Sequence, residues 1–133
     1  MQWEKINVCV QKWMKQARKI ILEGRTKELC VEEKTSRCDL VTNVDKFIEK
    51  FYVDRIRETF PNSKILGEEG EADKDLDNFK GLLWIIDPID GTMNFVKQHD
   101  HFASMIAVCE NGIEKLGYIL DVTEDELYWG GPE

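Results

Sequence analysis

Two aspartates three residues apart follow an apolar run in the stretch Trp84 to Phe95, which reads WIIDPIDGTMNF. Leu82 to Ile86 is short, apolar and rich in β-formers, so it predicts a buried strand. Proline lacks an N–H and has a fixed φ, so the strand is expected to stop at Asp87-Pro88 rather than continue as a central one. Asp87 and Asp90 then sit on a tight turn with few bases nearby. A hard, oxygen-seeking cation such as Mg²⁺ would balance them. Gly91 lets a ligand approach the backbone, and Thr92 adds a hydroxyl and an N–H. A cation beside free N–H groups and a hydroxyl makes a place for a phosphate. Taken alone, D-P-x-D-G-T is equally a turn whose carboxylates cap the next segment.

Two more carboxylate motifs lie upstream. In DLVTNVD, residues 39–45, Thr42 and Asp45 have the capping-box spacing of a helix start, so Asp45 can stabilise its own helix N-terminus. In LGEEG, residues 66–70, Glu68 and Glu69 follow a short strand between glycines. That placement presents carboxylate oxygens, or else forms a solvated acidic turn. If these ends converge, Asp45, Glu68, Asp87 and Asp90 share one site with no matching protein cation. Such a cluster is unfavourable without metal. Two or more divalent ions would relieve it and suit phosphoryl transfer to water. His99 and His101 could form a metal pair, but an H-x-H on a strand more often faces solvent.

The elements that must position these residues can be read in order. Trp3, Ile6, Val10, Trp13, Ala17 and Ile20 recur at helical spacing and predict an amphipathic helix ending near Gly24, its stripe belonging to the core. Thr26 to Cys38 is charged, with a short strand expected around Leu29 to Glu32. A second helix begins after Thr42, carries Val44, Phe47, Ile48, Phe51, Arg55 and Ile56, and is closed by Pro61. Lys64 to Leu66 is a short strand. Glu71 to Lys80 reads as an acidic loop or frayed helix. Phe102 to Cys109 and Ile113 to Leu120 are strands joined by Asn111-Gly112, a strong hairpin signal. After a turn at Asp121 to Asp125, Glu126 to Trp129 begins another strand. The expected fold class is α+β, with two helices packed on a largely antiparallel β-sheet.

Composition narrows the function. A chain of 133 residues is enough for one domain with a core, and its net charge is −8. That charge argues against a nucleic-acid surface and against binding anionic membrane, but not against a small phosphorylated molecule held through metal. The four cysteines, Cys9, Cys30, Cys38 and Cys109, lack C-x-x-C pairing, which disfavours a structural zinc site. Met1 leads straight into a charged amphipathic helix, so no signal peptide is expected, and no apolar run reaches membrane-spanning length. A reduced cytoplasm is the expected setting.

In order and spacing, DLVTNVD, LGEEG and WIIDPIDGTMNF resemble the motifs of the inositol monophosphatase family of Mg²⁺-dependent phosphatases. Asn94-Phe95 is similar to the inositol monophosphatase branch rather than to bisphosphate nucleotidases or fructose bisphosphatases. The resemblance implies that Glu68, Asp87, Asp90 and the Ile89 carbonyl bind metal. Glu68 and Asp87 would share one ion, and Asp87 and Asp90 would hold another. A complete site would take two or three Mg²⁺ ions. The substrate phosphate would lie against Glu68, Ile89, Asp90, Gly91 and Thr92. Glu68 and Thr92 would orient and activate the attacking water, Asp45 would hydrogen-bond Thr92, and Lys34 would lie near the outer metal region.

Family members are roughly twice as long, near the size where a second domain is expected. Residues 1–133 therefore resemble an N-terminal α+β metal- and phosphate-binding domain, with the C-terminal domain and its further metal-binding aspartate absent. The implied activity is hydrolysis of inositol 1-phosphate or a similar polyol or sugar phosphate, weak or missing in this piece by itself, and the implied assembly is a homodimer. The alternatives are a 3′(2′),5′-bisphosphate nucleotidase, a fructose-1,6-bisphosphatase, or a non-catalytic metal-binding or interaction module.

Overall fold

A computed structural model describes residues 3–24, 31–33, 40–67, 80–90 and 102–131. Helix α1, Trp3–Gly24, buries Ile6, Val10, Trp13, Met14, Ala17 and Ile21 along one stripe, as its periodicity demands. Helix α2, Asn43–Thr59, ends where the Phe60 N–H closes on the Ile56 carbonyl at 2.7 Å and Pro61 stops propagation. Not every apolar residue of its pattern faces inward. Phe47 is 58% exposed, and Glu49, Tyr52 and Val53 are buried. The inward stripe follows Asp45, Ile48, Glu49, Tyr52 and Ile56, which puts Phe47 on the outer side.

Before α2 the chain forms a two-stranded antiparallel ribbon, β1 (Val31–Glu33) with β2 (Leu40–Thr42), Val31 opposite Thr42. The segment expected only as a lead-in to the helix is thus itself a strand, and the earlier short strand sits at Val31–Glu33.

The main sheet comprises β3 (Lys64–Gly67), β4 (Leu82–Asp90), β5 (Ala103–Glu110), β6 (Ile113–Asp121) and β7 (Glu126–Gly130), neighbours in that order. The β3–β4 pair is parallel and the others are antiparallel, so two helices pack on a mostly antiparallel mixed sheet. A parallel pair needs a crossover of a dozen or more residues, and residues 68–81 supply that length. The Asn111-Gly112 turn has φ of 51° and 84°, left-handed at both positions as a tight hairpin requires. Asn111 also accepts from the Gly81 N–H at 2.7 Å, pinning the start of β4.

Between helices and sheet lies the core. Trp84 meets Trp13 and Phe60 with ring centroids 6.1 and 5.5 Å away, and its indole N–H donates to Ser63 Oγ at 3.0 Å. The Tyr118 hydroxyl donates to Asn7 Oδ1 of α1 at 3.1 Å, and Arg18 Nε donates to the Val122 carbonyl at 2.8 Å. The opposite face of the sheet carries an apolar row in strand register, Met105, Ile119 and Tyr128, continued by Asp87 on β4. These residues line a groove of about 420 Å³. Cys9 and Cys109 are free thiols, and no described helix is long and apolar enough to cross a membrane.

Candidate functional site

Strand β4 does not stop at Asp87. It runs through Pro88 to Asp90, and the sequence reading is corrected there. Among the described residues, pairing with β3 runs from Lys64–Leu83 to Gly67–Ile86, so each described β3 partner lies before the proline. On the β5 side the register shifts. Asp87 faces Met105 and Asp90 faces Ala103, three steps along β4 against two along β5. One extra residue in one strand is a β-bulge, a device that re-aims side chains and locally ends regular pairing. The bulge gathers Asp87, Ile89 and Asp90 at the strand end. Asp87 is half-buried, Asp90 is exposed, and the Ile89 side chain is buried in the core, so what Ile89 can offer a ligand is its carbonyl.

Asp45 arrives from another element. It lies in the first turn of α2, three positions past Thr42, where a carboxylate complements the helix dipole. It is nevertheless fully buried, unlike a solvent-facing cap. Two contacts set how α2 lies on the sheet. The Tyr52 hydroxyl and Ser104 Oγ are hydrogen-bonded at 2.7 Å, tying α2 to β5 next to the residues that pair with Asp87 and Asp90. Glu49, also fully buried, places its carboxylate against Gly67 at the end of β3. Asp45 lies on the same helix face, four residues earlier, about 6 Å along the axis. Burial raises the Tyr52 pKa well above the ordinary tyrosine value, the hydrogen bond to Ser104 opposing it only in part, so the link is a neutral one at physiological pH.

The described donors are oxygen atoms from two carboxylates and a main-chain carbonyl. That set suits a hard divalent cation such as Mg²⁺ and offers nothing to a thiophilic one. Among the described residues no group of three or more His, Cys, Asp or Glu side chains is close enough to hold a metal by itself. Glu68, Gly91, Thr92 and Lys34 lie outside the described residues, as do Asn94, Phe95, His99 and His101. Of the predicted site residues, the structure thus describes Asp87, Ile89 and Asp90 along the bulged end of β4 and Asp45 on the inward face of α2. Sequence reasoning missed Glu49. The available signal was its spacing of four from Asp45, which puts both on one helical face.

The family model for the inositol monophosphatase family matches residues 2–131. The chain is 51% identical over 126 residues to the inositol-1-monophosphatase of Bacillus subtilis, covering 95% of this chain and 47% of that protein. It is 45% identical over 89 residues to the fructose-1,6-bisphosphatase/inositol-1-monophosphatase of Thermotoga maritima, covering 67% of this chain and 33% of the other. A solved inositol monophosphatase/NADP phosphatase with bound Mg²⁺ and phosphate superposes with a TM-score of 0.88 at 33% identity, over 98% of this chain and 49% of its own. The chain thus spans about half the length, or less, of the curated relatives it matches. A family match over nearly every residue, with the same fold in a solved relative, shows that this chain belongs to the inositol monophosphatase family.

Proposed function

We propose that the protein is a Mg²⁺-dependent phosphate monoester hydrolase acting on inositol 1-phosphate or a chemically similar polyol or sugar phosphate. Residues 1–133 would contribute its α+β metal- and phosphate-binding half. The observation that supports this reading is the bulged end of β4, which carries Asp87, Ile89 and Asp90 and sets both aspartates opposite one face of β5, at Met105 and Ala103.

In this reading Glu68 joins them. It follows Gly67 by one peptide bond, about 3.8 Å between Cα atoms. Gly67 is the parallel register partner of Ile86, the residue before Asp87. Neighbouring strands are about 4.8 Å apart, a separation that two carboxylates can bridge to one ion. Glu68 and Asp87 would hold one Mg²⁺, and Asp87 with Asp90 another, the Ile89 carbonyl completing the oxygen set. Bound Mg²⁺ supplies neutralisation of phosphate charge and lowers the pKa of a coordinated water toward neutrality. The protein's own groups do the rest. Gly91 and Thr92 donate N–H bonds to the phosphate. Glu68 and the Thr92 hydroxyl would align the attacking water, and the Glu68 carboxylate would take its proton. Asp45, fixed on α2, accepts from the Thr92 hydroxyl and so sets which way that hydroxyl points. The unpaired thiols of Cys9 and Cys109 accord with a reducing compartment such as the cytoplasm.

The test is phosphate release from inositol 1-phosphate with Mg²⁺, with and without a chelator, alongside calorimetric titration with Mg²⁺ or Mn²⁺. Metal binding, chelator-sensitive release and at least a tenfold loss in Asp90→Asn are expected (roughly 1.4 kcal/mol or more). Phosphate release indifferent to the chelator, or no metal binding at all, would sink the proposal. The alternative, a fructose bisphosphatase on the same scaffold, is judged by comparing kcat/KM for fructose 1,6-bisphosphate with that for inositol 1-phosphate.

A further inference from the structure

We infer that Glu49 is a positioning residue for the metal site, acting through Gly67; this rests on the metal-binding reading above. A Cβ at Gly67 would meet Glu49 Cδ at 2.6 Å and Glu49 Oε2 at 3.0 Å, with Oε1 nearer still. Real Cβ atoms do not approach other atoms so closely. The backbone gives no competing reason for glycine, because the described glycines with positive φ are Gly81 and Gly112 only. Gly67 is therefore bare because the Glu49 carboxylate occupies the space a side chain would need.

A fully buried carboxylate is costly to keep, so its place is informative. Glu49 sits on α2 one turn beyond Asp45, and Gly67 is the last described residue before Glu68. Its register partner on β4 is Ile86, the residue before Asp87. One side chain thus joins the helix that carries Asp45 to the strand that delivers Glu68. Glu49 thereby holds Gly67, to which Glu68 is bonded, in place against α2, and through it sets the separation between Glu68 and the ligands on β4.

The experiment is calorimetric titration of the protein with Mn²⁺, paired with thermal unfolding of the same samples. Gly67→Ala should weaken Mn²⁺ binding about tenfold, the size seen when a residue that orients a metal ligand is lost. Glu49→Asp withdraws the carboxylate by one methylene. Alone it should weaken binding at least threefold. Combined with Gly67→Ala it should restore affinity to within about threefold of the unaltered protein, because the new methyl enters the vacated space. Strict additivity in the double variant, or a tenfold loss of stability with an unchanged Kd, overturns the inference and marks the contact as packing alone. Should Gly67→Ala fail to fold, Glu49→Asp carries the test, and an unchanged Kd overturns it. If the unaltered protein binds no Mn²⁺, the metal-site reading itself fails and takes this inference with it. Normal binding in the parent with no effect of either substitution removes only the role of Glu49.

Discussion

The two faces of the main sheet are built from the same strands and share the same apolar character, yet only one is buried. Toward the helices, Trp84, Ile86, Ile106, Val108, Tyr118 and Leu120 are almost wholly covered. On the other face Ile85, Ile119 and Tyr128 are 39%, 44% and 57% exposed. Alternation along each strand decides which face a residue joins. What packs against that face decides whether it is dry. Asp87 belongs to the second face, in register with Met105 and Ile119, so the open side of the sheet carries a proposed metal ligand while the closed side carries the core. The division separates stability from chemistry within a single strand, and it can be tested from both sides.

The largest effect is expected from Trp84→Ala. It removes the centre of the Trp13–Phe60–Trp84 cluster and the bond to Ser63, and should cost about 3–5 kcal/mol in urea unfolding. For a domain of ordinary stability, 5–15 kcal/mol, that is a large share. A loss near that of a surface residue would break the comparison.

Next is Tyr52→Phe, which strips the bond to Ser104 and leaves a buried hydroxyl short of a partner, at about 1–2 kcal/mol. The same substitution should change the alkaline limb of stability. The folded-state pKa of Tyr52 is raised by burial, and that of Tyr118 is pushed up to about 12 for the same reason. A raised pKa means the fold favours the protonated phenol. The contribution is intact below the unfolded value near 10 and is lost progressively as pH rises from there through the folded value. Stability measured from pH 9 to 12 should therefore fall, and less steeply in Tyr52→Phe. Parallel profiles would show that Tyr52 ionises freely.

The smallest effect is expected on the open face. Ile119→Ser should change unfolding free energy by no more than about 0.5 kcal/mol, as at other exposed sites. A loss above about 1.5 kcal/mol would mean that this face is covered in solution, as a contiguous exposed apolar patch often is.

Much of the fold was legible because its signals are local. The 3.6-residue pattern from Trp3 to Ile20 and the Asn-Gly hairpin need no distant partner to be read, and both are found, the helix burying Ile21 where the pattern named Ile20. The metal-ligand candidates were legible in part for the same reason. Asp87 and Asp90 stand out by type and spacing after an apolar run, and the bulge keeps them together. Other features depended on neighbours far along the chain. Pro88 was read as the end of β4, but the strand runs on to Asp90 and the bulge against β5 absorbs it. Phe47 was named only as part of the helix pattern, and it lies outside because Tyr52, anchored to Ser104, fixes the rotation of α2.

The sequence by itself determined the α+β class, the element order and the acidic motifs, because periodicity, turn chemistry and residue type act over a few residues. Only the tertiary structure decided that β3 runs parallel to β4, that Asp45 and Glu49 are buried, and that Gly67 is bare to admit a carboxylate. Those facts depend on where α2 comes to rest on the sheet. That placement is fixed by close packing between segments distant in sequence, which no local pattern encodes.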